Sequence, residues 1–355
     1  MNLIHRGFGL FWARLTCLSL GLQFLLLLGW VPFASAQSRL PAEPIALAPS
    51  PVLTPDMGEW LKRVHEASRR RAYVGTFVVS AGGHMASARI WHVCDGEQQV
   101  ERVESLTGVP RSTFRRNDQV MTYLPQSKVV ISEKRESLGL FPNLILSADS
   151  GIAQSYRIQP AGQERVAGVQ ADVVQLQAQD RLRFGYRVWT EKKTGLVVKL
   201  QTLDSAGRVL EQAAFSELQL DAPVSMSKLT QMMNKTQGYE IETPALVKTS
   251  ATAEGWAFKS VVSGFNPVSC HNRVVSVQAG TPSASILQCV FSDGLASVSL
   301  FIEGFDERRH AQPSAQAMGA THTLTRRLGE WWLTAVGEVP ALTLVIFAQG
   351  LERIR

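Results

Sequence analysis

The sequence predicts a mainly β protein with a few helices: a broad, curled antiparallel sheet followed by a smaller mixed α/β domain. Three observations carry this. Between residues 73 and 220, short runs rich in β-branched and aromatic residues follow one another, separated by Gly, Pro, Asp and Asn. One amphipathic helical pattern, over 56–72, precedes them. The alternation lapses between about 221 and 253, and a second set of strand patterns starts at 254.

The chain of 355 residues opens with Arg6 and Arg14, the apolar run "LTCLSLGLQFLLLLGW" and the small-residue site Ala34-Ser35-Ala36. This pattern predicts a signal peptide over 1–36, cleaved before Gln37; retention of the apolar run as an anchor is the alternative. Cys17 lacks the small-residue context of a lipid-modified cysteine. Residues 37–55, rich in Pro and Ala without periodicity, read as a disordered leader.

A helix follows in "TPDMGEWLKRVHEASRRRAY". Thr54 or Asp56 can cap it, Pro55 suits the first turn, and Asp56 with Glu59 has the capping-box interval. Trp60, Val64 and Ala67, with Leu61 beside them, form an apolar stripe that needs a larger apolar surface. Strands are predicted in "YVGTFVVS", "MASARIWHV", "QQVERVESL", "RSTFRRNDQVMTYLP" and "SKVVIS". "SLGLFPNLILS" reads as a Leu-rich loop or short helix, after which "QSYRIQP" and "GQERVAGVQADVVQLQAQ" resume the strands.

In "RLRFGYRVWTEKKTGLVVKLQTLDSAGRVLEQAAFSEL", Leu182, Phe184, Tyr186 and Val188 fall on one face and Arg181, Arg183 and Arg187 on the other. "EKKTG" and "DSAGR" turn the chain. This is an antiparallel meander with one solvated face, and a sheet this wide should curl around the helix. The domain therefore spans 56–220. Residues 221–253 read as a linker with a short helix near "SKLTQMM", and 254–355 as the second domain. There the expected strands are "WAFKSVVSGF", "NRVVSVQA", "SILQCVFSDGLASVSLFIE" folded at Ser292-Asp293-Gly294, "HTLTRRL" and "EWWLTAVGEV". The last element, "PALTLVIFAQGLERI", is expected to be helical.

The net charge of +6 falls to +4 once Arg6 and Arg14 are removed. That mild surplus is far from a nucleic-acid-binding composition, and nucleic acid is not expected as a partner. Three cysteines survive cleavage. Export and the eighteen intervening residues favour a disulfide between Cys270 and Cys289, leaving Cys94 free.

No G-x-S-x-G, H-E-x-x-H, P-loop or dinucleotide fingerprint occurs, so no catalytic residue and no cofactor are expected. His84, His92 and Cys94 match no compact metal motif, and no metal site is assigned. Asp306, Glu307 and His310 read as an exposed loop. Arg69-Arg70-Arg71 and Arg115-Arg116 read as solvated, with lipid phosphates or an acidic peptide as the alternative partners. Phe77, Phe114, Tyr123, Phe141, Tyr186 and Trp189 can fill a core or line a cavity in a curled sheet, and composition does not separate the two. Adjacent Trp331 and Trp332 must face opposite ways on one strand, so one of them meets the first domain or offers an anchor to a partner.

The run "ERVAGVQADVVQLQAQDRLRFGYRVWTEKKTGLVVKLQTLDSAGRVLEQAAFSEL" resembles the corresponding segment of the MucB/RseB family. So do "GTFVV", "ARIWHV", "ERVESLTG", "FSDGLASVSLFIE" and "GEWWLTAVGEVP". A departure is "SVVSGF", where the family often has a Trp and a Leu-Pro before Gly-Phe. The resemblance implies a half-open antiparallel barrel of the lipoprotein-carrier type with a smaller C-terminal domain. It implies a periplasmic, non-enzymatic regulator that binds the periplasmic domain of a single-span anti-sigma factor of the RseA/MucA kind and shields it from proteolysis. Lipopolysaccharide or lipoprotein acyl chains are the implied relieving signals. The cavity would be lined by the six aromatic residues above. Partner contact would fall in the C-terminal domain, on Phe291, Asp293, Phe301, Trp331 and Trp332. A homo-oligomer stays open. The competing readings are a lipoprotein carrier, which has no use for 254–355, and an exported hydrolase assembled from distant residues.

Overall fold

The computed structural model describes residues 56–134, 141–142, 151–260, 262–275, 284–310 and 312–354. The expected signal peptide, the leader, most of "SLGLFPNLILS" and the end of "NRVVSVQA" lie outside them.

Asp56 caps the first helix, α1 (Met57–Arg70), its Oδ1 accepting the Glu59 N–H at 2.9 Å. Five hairpin connections then lay down β1 (Tyr73–Ala81), β2 (His84–Cys94), β3 (Gln99–Ser105), β4 (Ser112–Arg116), β5 (Gln119–Leu124) and β6 (Val129–Lys134). Asn117 sits at φ 52° in the tight β4–β5 turn, a conformation asparagine tolerates. A four-residue helix, α2 (Ile152–Ser155), precedes β7 (Tyr156–Val166), β8 (Val169–Ala178), β9 (Gly185–Glu191), β10 (Val197–Leu203) and β11 (Val209–Leu220). β11 pairs antiparallel with β1, bringing Phe215 opposite Phe77 beside a bulge, so β7–β11 extend the sheet on the far side of β1.

Residues 221–253 are more than a linker. They form α3 (Met226–Met233), β12 (Glu240–Glu242) and β13 (Leu246–Thr249). Ser225 caps α3 through its hydroxyl. β12 adds to β6 in parallel and completes a sheet of twelve strands, open between its edges β12 and β7. β13 belongs to the second sheet. The helix falls where "SKLTQMM" predicts it, its apolar side made of Leu229 and Met233.

Alternation puts Tyr73, Phe77, Ile90 and Val103 on one face of the large sheet and Val100, Phe114, Met121 and Tyr123 on the other. α1 covers the first face: Trp60, Leu61 and Val64 pack with Val174, Leu176, Tyr186 and Val188, and Ala67 packs with Tyr73 and Phe77. α3 covers the second, Leu229 against Val93 and Val100, Met233 against Phe114 and Tyr123. Each large side chain so buried contributes about 1.5–3 kcal/mol.

The remaining elements are β14 (Trp256–Phe258), β15 (Asn266–Val275), β16 (Ala284–Ser292), β17 (Ser297–Gly304), β18 (Ser314–Met318), β19 (Thr321–Leu328), β20 (Trp331–Gly337), α4 (Ala341–Gly350) and β21 (Leu351–Arg353). Seven strands form a sheet in the order β13-β15-β16-β17-β20-β19-β18, and β14 pairs with β21. Leu344 and Phe347 of α4 pack with Phe265, Phe291 and Leu300. Among its described residues "WAFKSVVSGF" holds the three-residue β14, and Gly264 at φ 79° turns the chain further on. β18 was not foreseen, because "SAQAM" lacks β-branched and aromatic residues and lies exposed at the sheet edge.

Candidate functional site

The two sheets are joined through the β8–β9 loop, residues 179–184. Asp180 Oδ1 accepts the Leu182 N–H at 2.8 Å and Arg183 Nε at 3.0 Å, which fixes the loop and aims the guanidinium. Arg183 Nη1 donates to Asp293 Oδ2 at 2.9 Å and Nη2 to the Ser263 carbonyl at 2.5 Å. Tyr156 OH donates to the same Asp293 oxygen at 2.9 Å. The other Asp293 oxygen accepts the N–H groups of Leu295 and Ala296, at 2.9 and 2.8 Å, so one carboxylate both shapes the β16–β17 turn and receives the arginine. The Arg183 side chain is 1% exposed and that of Asp293 0%. Arg183 was expected on the solvated face; the loop instead carries it out of the β9 alternation and into the second domain. Burial pushes the Tyr156 and Tyr186 hydroxyls well above the usual phenol range, with Tyr186 and Asp293 adding to the shift at Tyr156, so both stay protonated.

Apolar contacts run both ways across this pair. Leu182, from the large sheet, packs against the second core of Phe265, Phe291 and Phe347. Leu295, from the small sheet, packs against the cluster that holds Trp60, Leu61, Tyr156 and Tyr186. Thr343 Oγ1 of α4 donates to the Leu182 carbonyl at 2.6 Å. Gly264 is needed here: a Cβ would lie 2.8 and 2.9 Å from the guanidinium nitrogens. At a second contact, Gly319 of the β18–β19 turn abuts Ala81 at the end of β1.

The six aromatic residues expected around one cavity do not converge. Phe77 and Phe215 meet Phe141 with ring centroids 5.5 and 4.9 Å apart. Tyr186 lies beside Tyr156 at 5.9 Å, within the α1 cluster. Phe114 and Tyr123 are on the opposite face, under α3, where Tyr123 OH donates to the Met233 carbonyl. Trp189 is buried in the cluster that holds Ala67 of α1, Phe77 and Phe215; its Nε1 donates to Glu164 and the Lys199 ammonium sits 4.1 Å from the ring centroid. Of the six, Phe77, Phe141, Tyr186 and Trp189 belong to or pack against the two clusters that α1 enters.

In the second domain, Cys270 and Cys289 are opposite each other on β15 and β16 and form a disulfide, and Cys94 is a half-buried free thiol. Phe291 is core and Asp293 faces the first domain, so neither presents its side chain to solvent. Phe301 is half-buried on β17. Trp331 is half-buried, edge-on to Trp256 at 5.6 Å with Arg353 above it. Trp332 is buried and stacks on His310 at 4.9 Å. Thus the 306–310 loop is not open: Asp306 N–H donates to His310 Nδ1, and Arg309 bridges Glu303 and Asp306.

Arg115 was also expected in solvent. It is buried, bonded to Glu101 at 2.9 Å and to the Asn117 carbonyl, beside His92 stacked on Tyr73. His92 Nδ1 donates to the Arg71 carbonyl at 2.7 Å, and burial holds its pKa below the usual histidine value. Alternation could have found this cluster, since Tyr73, His92, Glu101 and Arg115 are cross-strand neighbours in register. His84, at the other end of β2, is not part of it.

An open, helix-lined antiparallel sheet interlocked with a disulfide-braced second sheet defines a two-domain, mainly β scaffold. Family models of the MucB/RseB N-terminal domain and the MucB/RseB C-terminal domain match residues 56–233 and 250–352. The chain belongs to the MucB/RseB family. Sigma factor AlgU regulatory protein MucB of Pseudomonas aeruginosa is 28% identical over 293 residues, covering 80% of this chain and 87% of that one. Sigma-E factor regulatory protein RseB of Escherichia coli K12 is 22% identical over 299 residues, covering 84% and 91%. Among solved structures, MucB in complex with MucA(peri) has a TM-score of 0.64 at 24% identity, covering 84% of this chain and 100% of that one. The Pseudomonas aeruginosa MucA/MucB complex gives 0.66 at 24%, covering 85% and 100%. These two share the fold.

Proposed function

We propose that this chain is an exported, periplasmic regulatory binding protein without enzymatic turnover. It holds the periplasmic part of a single-span anti-sigma factor, protects that segment from regulated proteolysis, and so restrains an envelope-stress response. Lipid-like signals relieve the protection. The observation that carries this reading is that both family domains match in order along one chain, over 56–233 and 250–352. A lipoprotein carrier would account for the first alone. The relatives' names as sigma factor regulators and the MucA complexes of the similar folds support it further.

The lipid-facing surface in this reading is the apolar side beneath α1, with Phe77, Phe141 and Tyr186. Partner contact is assigned to the second domain, with Phe301 and Trp331 as its half-buried aromatic groups. Relief then follows from linkage: a ligand that prefers the partner-free conformation weakens partner binding by the ratio of its two affinities. A pull-down of the mature chain against solubilised envelope proteins tests the reading. Recovery of a single-span inner-membrane protein supports it; recovery of lipoproteins alone identifies a carrier instead.

A further inference from the structure

We infer that the interlock of the β8–β9 loop with the β16–β17 turn is a latch that a ligand beneath α1 must open. The inference rests on the regulatory reading above and names how the two domains communicate. Leu295 occupies apolar surface on the α1 cluster, the one that holds Trp60, Leu61, Tyr156 and Tyr186. A ligand lodging there competes with Leu295 for the same contacts. The turn cannot release Leu295 alone. It is held rigid by Asp293 Oδ1 on the Leu295 and Ala296 N–H groups, and by Ser292 Oγ, which donates to the Ala296 carbonyl and accepts the Gly294 N–H. Withdrawing Leu295 therefore carries Asp293 away from Arg183 and Tyr156. The large sheet then keeps a buried guanidinium that has lost Asp293 and retains only Asp180 as its carboxylate partner, and Leu182 loses its place against the second core. Ligand entry in one domain is converted into a changed relation between the domains through one turn.

Asp293→Asn separates the latch from the turn, because Asn retains the Oδ1 acceptor while removing the charge that pairs with Arg183. Tyr156→Phe, which deletes a single hydroxyl, is the milder second variant should the first fail to fold. Calorimetry and small-angle scattering on the full mature chain give the first readout. The wild type is expected to unfold in one transition. Asp293→Asn should unfold in two, with a larger radius of gyration, and Tyr156→Phe should shift the same way by less. One transition and an unchanged radius in the variants overturn the latch.

The second readout is affinity for the anti-sigma periplasmic segment with and without monomeric dodecylphosphocholine as the acyl probe. The probe should weaken binding by about tenfold in the wild type and by no more than about twofold in the unlatched variant. An equal effect in both overturns the coupling. A wild type indifferent to the probe overturns the lipid-relief reading, whereas the latch itself is still decided by the calorimetry and scattering.

Discussion

Arg183 and Asp293, 110 positions apart in sequence, form a 2.9 Å ion pair that neither shares with solvent. Desolvating two charges is costly enough that such a pair adds little net stability, while removing one partner is expected to cost about 3–5 kcal/mol. Its value is specificity: it fixes which loop meets which turn. The same geometry complicates truncation, because deleting 254–355 would uncover Leu182 and leave Arg183 without its partner. Point variants are the cleaner tools.

Gly264→Ala should destabilise the full chain by about 1–3 kcal/mol, since φ 79° is unfavourable for alanine and the new Cβ meets the Arg183 guanidinium. Urea unfolding measures it. In an Arg183→Ala background the cost should shrink toward the backbone term and the remaining 2.9 Å approach to Ser155 Oγ; full additivity would show that the approach to Arg183 is not felt.

The Cys270–Cys289 bridge closes a loop of sequence separation 19 and should contribute about 3 kcal/mol by restricting the unfolded chain. Denaturant midpoints of the wild type and the Cys270→Ser/Cys289→Ser variant, each with and without reductant, test this. Reductant should lower only the wild type. Alkylation of the unfolded, unreduced mature chain should modify one thiol, Cys94.

His92 is neutral in the fold, its pKa lowered chiefly by burial. The unfolded chain takes up a proton first as pH falls through 6.5, so stability declines from there toward the lower folded-state value. His92→Gln should flatten the loss between about pH 7 and 5.5. Thermal midpoints across that range decide it, and parallel curves would contradict the assignment.

Glu211 titrates in the opposite sense. Burial, then the Glu338 charge, raises its folded-state pKa against the opposing hydrogen bond from the Ala320 N–H. Its contribution is fully present below the ordinary glutamate value and is lost as pH rises through the raised one. Glu211→Gln should therefore raise the thermal midpoint near pH 8 and leave it little changed near about pH 4. A variant less stable at pH 8 would contradict this.

Much of the fold was legible because it is local. Strand alternation, the Asp56 cap, the Ser292-Asp293-Gly294 turn and the paired cysteines each depend on neighbours in sequence. The family segments added the half-open barrel. What was not legible is what depends on the other side of a contact. Arg183 sits in an alternating run and reads as solvated until Asp293 arrives from the second sheet. Phe114 and Phe77 look alike in composition but face opposite sides, because register through β2, β3 and β4 decides their side. α3 is legible as a short helix but not as part of the first domain, because its partner surface, Phe114, Tyr123 and Val100, lies on strands more than 100 residues earlier.

The central claim is that this chain holds and shields an anti-sigma segment. The most direct measurement is the cleavage rate of that purified periplasmic segment by the protease that cuts it, as the mature chain is titrated in. A saturable slowing, with a midpoint matching the binding constant measured by calorimetry on the same samples, is the expected result. An unchanged cleavage rate at chain concentrations well above that of the segment, with no heat of binding, would contradict the account.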